Sequence, residues 1–415
     1  MASLVDILKT NKKLISNFSY LTFLQIASML LPIVTYPYLI RTLGVKNYGA
    51  VVFSQAVVGY FVIIIGFGFN IIATKDISIN RGDKEKIGEI VSSVIITKLL
   101  LFALCLAIFL PFIFIYEPAA NYKILYLATL WLCIYEIVFP VFYFQGIEEM
   151  KLISIIALVG KLIVFASTFI FIKTQVDYIK VPILNLAGTI VVAIFSFYIV
   201  FRKHKIRFFM PKFSIILNYA KASMPVFLSN ISVQVYVSTN KVLIGSFLGM
   251  EQVSYYDIGE KIIGIFRIPQ SIISQTVFSR ISIEKNLKFI KRVFRFSLLV
   301  NFVLMLICLL FSKTMILILG GEKMLESEWV IRILCITLPI VAASNVFGTL
   351  NLIPFGYNKA FSRTIMLSGI IFISQFLLVW IFDFVNIYSL CIITLTTEIL
   401  VAFQMYYYCL KYKLW

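Results

Sequence analysis

The chain has 415 residues, of which 61% are hydrophobic and only 13% are charged, and its formal net charge is +18. Its mean hydropathy of +0.99 excludes a soluble globular domain, and nucleic-acid binding is a poor explanation for the positive charge. The apolar runs are long and continuous rather than alternating, which favours membrane-spanning helices over a β-barrel. We therefore predict an all-α polytopic membrane protein.

Twelve apolar runs are long enough to cross a bilayer, which takes about 20 residues each. If the N-terminus is cytoplasmic, the connecting segments on that side hold 24 Lys and Arg residues, and those on the other side hold six. This asymmetry predicts that both termini are cytoplasmic and that the excess positive charge meets anionic lipid. The predicted spans are residues 18–40, 46–73, 88–115, 122–146, 152–172, 181–201, 222–248, 253–279, 296–319, 329–353, 364–384 and 387–410.

The first predicted span ends in a distinctive turn. Pro32 and Pro37 should kink this helix, either as a fixed packing feature or as a bend that opens during transport. Arg41 and Gly44 then lead into the short connection before the second span.

Charged residues are embedded in three later spans of the first half, namely Lys98, Glu136 and Lys161. Both lysines lie too far from the cytoplasmic ends to reach the interface easily, so we expect them to face a cavity. Because burial disfavours the ionised carboxyl group, Glu136 is a candidate site for a coupling ion, H⁺ or Na⁺. The alternative is a carboxylate satisfied by neighbouring helices.

The longest connection, residues 202–221, is basic and falls near the middle of the chain. We expect its histidine, His204, to be a solvated loop residue rather than a ligand or a proton relay. The position of this connection predicts an N-terminal six-helix lobe, residues 1–210, and a C-terminal six-helix lobe, residues 211–415.

Two weak sequence matches support a repeat of these lobes. The turn Leu43–Gly49 resembles Leu248–Ser254, which lies 205 residues later, and Gln145–Glu149 resembles Phe355–Lys359 at a shift of 210. Six helices per lobe return the chain to the cytoplasmic side, so the repeat should be parallel, which is a common plan among transporters.

The hairpin between residues 238 and 275 carries charge where a membrane helix normally has none. Lys241 lies on its first helix, and Asp257, Glu260 and Lys261 recur on its second helix at spacings that share one helical face. We expect Asp257 and Lys261 to pair at i,i+4, and the remaining carboxylates to pair or to bind a coupling ion. Such polar faces avoid lipid, so the hairpin should line a polar, cationic cavity.

Arg267 lies near the middle of the same span, just before Pro269, with no adjacent acid. Since a guanidinium matches phosphate oxygens in a bidentate fashion, one interpretation is a pyrophosphate contact. The other is a structural ion pair with Glu260 or Glu136. Glu398, in the last span, is a further candidate for the coupling-ion site or for a pairing acid.

The sequence contains no phosphate-binding loop, nucleophile motif or metal-ligand cluster, and its six cysteines lie in apolar runs without a CxxC pair. We therefore expect neither enzymatic activity nor a cofactor or metal. The outer connections are short, which disfavours a membrane glycan polymerase or ligase, because such an enzyme needs a sizeable outer loop to hold its acceptor.

The chain contains the segments PYLIRTLGVKNYGAVVFSQA, GFGFNIIATKDIS, FYFQGIEEMK and YYDIGEKIIGIFRIPQ. They resemble Wzx-type O-antigen flippases, in the polysaccharide-exporter branch of the MOP superfamily, over nearly the whole chain. The most specific motif, in the first turn, is PYL-x-R-x-LG followed by a tyrosine or phenylalanine and Gly, and Arg41 and Gly44 within it would be structural. The resemblance implies two MATE-like six-helix lobes around a central cavity that opens alternately. It also implies passage of an undecaprenyl-pyrophosphate-linked oligosaccharide, the O-antigen repeat unit, from the cytoplasmic to the periplasmic leaflet of the bacterial inner membrane.

A flippase of this kind must pass phosphates and sugars through a low-dielectric slab, and a cationic cavity would replace their hydration. The partners we expect are the lipid-linked oligosaccharide, anionic lipids and the glycan polymerase and chain-length proteins of the same pathway, with no nucleic acid. A MATE-like multidrug or ion antiporter is the alternative, although its mostly cationic substrates would be repelled. The candidate substrate contacts are Arg267, Lys241, Lys261, Lys98 and Lys161.

Overall fold

The computed structural model describes residues 4–116 and 121–415, except for the side chains of residues 4–30, 229, 233, 236 and 237. Within these ranges all regular structure is helical, which confirms the predicted all-α class. The first half contains α1 (Leu4–Gly66), α2 (Phe69–Ile79), α3 (Lys84–Ile115), α4 (Lys123–Thr129), α5 (Trp131–Val138), α6 (Val141–Gly146), α7 (Met150–Phe171) and α8 (Lys180–Phe197). The second half contains α9 (Phe213–Phe247), α10 (Met250–Phe266), α11 (Ile268–Glu284), α12 (Leu287–Leu319), α13 (Glu328–Cys335), α14 (Thr337–Phe347), α15 (Asn358–Ile381) and α16 (Ile387–Lys411).

Polar residues just outside the apolar runs set where several helices begin. Asp83 accepts hydrogen bonds from two backbone N–H groups in the first turn of α3, and Asn286 accepts one in the first turn of α12. Asn386 and Ser389 form a reciprocal capping box at the start of α16. These side chains satisfy N–H groups that have no partner inside the helix, so each helix starts where the polar loop ends.

Nine helical stretches of the described residues are long and apolar enough to cross a membrane. The first of them, Leu31–Ile79, has 49 residues and covers the predicted second span together with the end of the first. Helices α9, α10 and α11, which carry the embedded charges of the hairpin, are not among the nine. The protein is thus a multi-pass membrane protein, and the count of twelve spans stays a prediction.

Glycines give two turns the same backbone conformation. Gly44 interrupts α1 with φ +76° and ψ 163°, and Gly249 precedes α10 with φ +94° and ψ 174°. Side chains rarely adopt this region, so glycine is required at both of the positions that the predicted repeat aligned. The second aligned pair differs, because Gly356 has φ +87° while the left-handed residue after α6 is Glu148, with φ +60°.

Several of the predicted spans are broken rather than continuous, among them the second and the eighth. The second span is interrupted at Phe67 and Gly68, both with positive φ, and the eighth is interrupted at Arg267, between α10 and α11. Pro269 lies in the first turn of α11, where its missing N–H costs nothing. A break of this kind frees backbone groups and brings Arg267 to a helix junction.

The chain forms two compact units: residues up to 43 with residues 54–230, and residues 44–53 with residues 231–415. We call them unit 1 and unit 2. Unit 1 has an aromatic and β-branched core, formed among others by Phe69, Val91, Phe142, Phe144 and Val200. Described residues of unit 2 form buried clusters around Phe347, Met405 and Cys409 and around Ile281, Ile290 and Leu350. The predicted lobe boundary after residue 210 stays a prediction.

Candidate functional site

In unit 1 a buried ion pair and an amide group join three helices. The Lys98 side chain on α3 is fully buried, and its Nζ lies 2.7 Å from Oε1 of Glu136 on α5. The same ammonium donates to the backbone oxygen of Glu136 at 2.9 Å and lies 3.5 Å from Oδ1 of Asn70 on α2. Asn70 in turn donates to Oε1 of Glu136 at 3.3 Å. An unpaired ammonium could not stay in this position, so the acid and the amide together hold the charge.

Close packing keeps this pair in place. A Cβ added at Gly66 would lie 3.3 Å from Oε1 of Glu136, so glycine leaves the carboxylate the room it occupies. The Phe142 ring lies beneath the ammonium, with its centroid 5.7 Å from Nζ. The structure therefore places Lys98 in an ion pair, and its predicted contact with substrate stays a prediction.

Unit 2 contains a denser network on the hairpin of α9 and α10. Lys241 on α9 contacts Asp257 at 2.9 Å and Glu260 at 2.5 Å. Lys261 contacts the other carboxylate oxygen of Asp257 at 2.6 Å, which confirms the predicted i,i+4 pair. Asp257 is buried, so three polar contacts on its two oxygens replace its hydration.

The third contact to Asp257 comes from Tyr48, in the part of α1 that follows Gly44. Its hydroxyl donates to Asp257 at 2.7 Å and lies 2.6 Å from Nζ of Lys261. This segment packs directly on the start of α10: Ser254 donates to the backbone oxygen of Val45 at 2.5 Å. Tyr48 was not predicted as a site residue, although it lies inside the first-turn motif.

A small polar pocket lies beside Arg267 in unit 2, with a volume of about 210 Å³. Arg267 donates from Nη2 to the hydroxyl of Thr337 at 3.0 Å, while its Nε is buried without a hydrogen-bond partner. Among the described residues of unit 2 no carboxylate oxygen lies within 4 Å of this guanidinium, so Glu260 does not pair with it. The pocket is lined by Arg267, Gln270, Ser271, Ser274, Gln275, Asn301, Leu338, Val341 and Asn345.

A hydrogen-bond network fixes the amide groups behind this pocket. Oε1 of the buried Gln270 accepts from Asn301 at 2.9 Å and from Ser297. Oδ1 of Asn345 accepts from Ser274 at 2.6 Å. Both amide oxygens are therefore occupied by the protein, which leaves the guanidinium as the dominant polar feature of the pocket.

The remaining predicted residues differ in how far they are buried. Glu398 on α16 is buried and lies close enough to Arg267 for their charges to interact. Lys161 is exposed on α7, and Arg41 is exposed just before Gly44.

His204 differs from the solvated residue that the sequence suggested. Only 20% of its side chain is exposed, and its Nδ1 lies 2.8 Å from the hydroxyl of Tyr143. Burial lowers the pKa of His204, and the Glu149 carboxylate opposes this shift only in part. The loop folds back onto the start of α3, where Lys84 donates to the backbone oxygen of His204 at 3.2 Å.

The sequence of this chain matches known proteins along most of its length. Residues 14–283 match the family model described as "Polysaccharide biosynthesis protein". The chain belongs to this family. The match includes the Lys98–Glu136 pair, the Asp257 network and Arg267, whereas Glu398 lies beyond it.

Individual proteins extend the likeness beyond residue 283, over about nine-tenths of the chain. An Escherichia coli (strain K12) protein named "Putative O-antigen transporter" is 26% identical over 376 residues, which are 88% of this chain and 89% of that protein. The lipid II flippase MurJ in an inward closed conformation has a TM-score of 0.75 at 15% identity, covering 93% of this chain and 87% of MurJ. An inward-facing multidrug resistance MATE family transporter of the MOP superfamily has a TM-score of 0.67 at 14% identity, covering 92% of this chain and 97% of the transporter. The flippase-like sequence resemblance is confirmed at the level of family and fold.

Proposed function

We propose that this protein moves an undecaprenyl-pyrophosphate-linked oligosaccharide, such as an O-antigen repeat unit, from the cytoplasmic to the periplasmic leaflet of the bacterial inner membrane by alternating access. Membership of the polysaccharide biosynthesis family supports the substrate class, as do relatives named as O-antigen transporters. The likeness to a lipid II flippase supports a fold suited to this task. We expect a transporter without catalytic residues.

The observation that carries the proposal is the pocket beside Arg267. A phosphate group that leaves water loses several hydrogen bonds, and a guanidinium with a buried, unpartnered N–H can replace them at close range. The volume of about 210 Å³ corresponds to about seven water molecules at about 30 Å³ each. This space fits one phosphate group with some water, so the glycan would have to lie outside the pocket.

The other predicted cations take a different place in this proposal. Lys98, Lys241 and Lys261 are neutralised by carboxylates in this structure. An ammonium can exchange a carboxylate for a phosphate oxygen, because both are anionic oxygen acceptors. We propose that Lys241 and Lys261 contact the substrate by such an exchange, and that Glu398 shares the charge of Arg267 with the substrate. Lys161, which is exposed on α7, stays a proposed contact with the substrate.

A MATE-like antiporter is the second candidate, and the likeness to a multidrug transporter favours it at the level of fold. The Arg267 pocket opposes it, because a cationic drug would meet a guanidinium there with no carboxylate within 4 Å among the described residues.

The test uses a strain that lacks this gene but keeps its glycan pathway. A membrane-impermeant glycan label on spheroplasts reports whether the lipid-linked oligosaccharide stays on the inner face. We expect wild-type protein to restore outer labelling and Arg267→Ala to reduce it about tenfold or more at normal protein level, which corresponds to about 1.4 kcal/mol. The matched control is Arg332→Ala, whose guanidinium is already paired with Glu328 at 2.6 Å.

Two results would contradict the proposal. Outer labelling at the wild-type level in the strain without the gene would remove the flippase function. Full activity of Arg267→Ala, with outer labelling still dependent on the gene, would remove the Arg267 pocket from the route and leave the function intact.

A further inference from the structure

An open groove of about 480 Å³ runs along the first half of α15, away from the site described above. Its lining changes character along the helix. The first two turns are polar and basic, and the next two are apolar. In order, its lining includes Asn358, Lys359, Ser362, Arg363, Met366 and Ile370.

The basic end of the groove carries two positive charges that no carboxylate of the described residues neutralises. Lys359 and Arg363 are exposed, lie one turn apart, and have no carboxylate within 4 Å among the described residues. Two other exposed arginines at the predicted cytoplasmic side do have a carboxylate partner, Arg280 in Glu284 and Arg81 in Glu148. The two cations are therefore available to an anion from outside the protein.

The helix itself adds to this charge. α15 begins at Asn358, and its N-cap residue Tyr357 makes no side-chain cap hydrogen bond. The first N–H groups of the helix and its positive dipole end thus lie in the same turn as Lys359. An anion at this end would meet two side-chain cations and the helix N-terminus together.

The apolar end of the groove fits a hydrocarbon chain. Met366 is 42% exposed and Ile370 is 64% exposed. From Lys359 to Ile370 the helix rises about 16 Å, which is about half the thickness of a bilayer core. The groove therefore runs from headgroup level at the predicted cytoplasmic side into the acyl region.

We infer that this groove is a docking site for a polyprenyl diphosphate, with its diphosphate on Lys359 and Arg363 and its first isoprene units along Met366 and Ile370. The inference rests on the proposed function: the occupant is the lipid end of the substrate, held in the cytoplasmic leaflet before translocation. Two unpaired cations one turn apart, about 6 Å along the helix axis, match the two phosphates of this headgroup better than the single phosphodiester of a phospholipid. Docking outside the transport route would raise the local concentration of substrate at its entrance.

The test measures binding of undecaprenyl diphosphate to the purified full-length protein in phosphatidylcholine nanodiscs. We expect the double variant K359Q/R363Q to bind at least about tenfold more weakly than wild type. The matched control K288Q/R292Q removes two exposed charges of α12 that lie outside the groove, and its affinity should stay within about twofold of wild type. Ser362→Glu, which places a negative charge between the two cations, is a second variant and should weaken binding in the same way.

Several outcomes would overturn the inference. An equal loss of affinity in K288Q/R292Q would show that the lipid binds through the general positive charge of the surface and not at a specific site. Equal competition by phosphatidylglycerol would show an ordinary anionic-lipid site. Absence of binding to wild-type protein that still restores outer labelling in cells would remove the docking site while the proposed function stands.

Discussion

The Lys98–Glu136 pair gives the sharpest prediction about stability. Lys98→Met keeps the length and apolar stem of the side chain but removes the ammonium that lies 2.7 Å from Oε1 of Glu136. The carboxylate is then left with Asn70 at 3.3 Å as its remaining side-chain partner among those described around it. We expect a lower free energy of unfolding, because a buried charge has lost its counter-ion.

The size of this loss follows from burial. Breaking a fully buried pair by removing one partner costs about 3–5 kcal/mol. Since 22% of the Glu136 side chain is exposed, water can solvate part of the charge, and we expect a value near the lower end, about 3 kcal/mol. The double variant Lys98→Met/Glu136→Gln has no charge at this position. Its free energy of unfolding should therefore lie within about 1 kcal/mol of that of the wild type.

The assay is denaturant titration of the purified proteins in mixed micelles, read as a double-mutant cycle. Lys288→Met, an exposed lysine on α12, is the control and should change the free energy of unfolding by less than about 0.5 kcal/mol. The reasoning is refuted if Lys98→Met is as stable as the control. It is also refuted if adding Glu136→Gln does not restore stability.

Three further predictions concern other parts of the chain. If Glu398 carries a coupling proton, Glu398→Gln should abolish the dependence of transport on a proton gradient across proteoliposomes; an unchanged gradient response would exclude it from coupling. Gly49→Ala should lower the free energy of unfolding by about 1–3 kcal/mol, because the new Cβ would lie 1.8 Å from the backbone oxygen of Met250, and wild-type stability would contradict this packing. His204 has a lowered pKa in the folded protein, so its contribution to stability is present above its ordinary pKa, about 6.5, and is lost as pH falls through the lower folded value. His204→Gln should therefore flatten the acid side of the stability–pH profile, and a profile identical to wild type would count against this role.

The spacing of residues along the sequence predicted features that depend on a single helix or turn. The i,i+4 relation of Asp257 and Lys261 gave their ion pair, and the glycines aligned by the repeat share one left-handed backbone conformation. The apolar runs predicted the all-α class, because a helix in the membrane satisfies all of its backbone hydrogen bonds within its own segment. These features depend on residues that are near each other in the sequence.

Contacts between distant helices could not be predicted in this way. Tyr48 reaches Asp257 across 209 residues, and Lys98 reaches Glu136 across 38, which no helical period encodes. Gln270 could have been noticed, because amides and hydroxyls recur at four-residue steps on α11 and α12, but only the structure shows which of their oxygens are occupied.

Flippase activity is measured most directly as translocation in proteoliposomes that contain only the purified protein and its lipid-linked oligosaccharide. A membrane-impermeant glycosidase added outside counts the molecules in the outer leaflet before and after they are allowed to cross. We expect the wild-type protein to expose the inner pool to the enzyme and Arg267→Ala to expose it at least about tenfold more slowly. If the inner pool stays protected with wild-type protein as in protein-free vesicles, the protein does not flip this substrate.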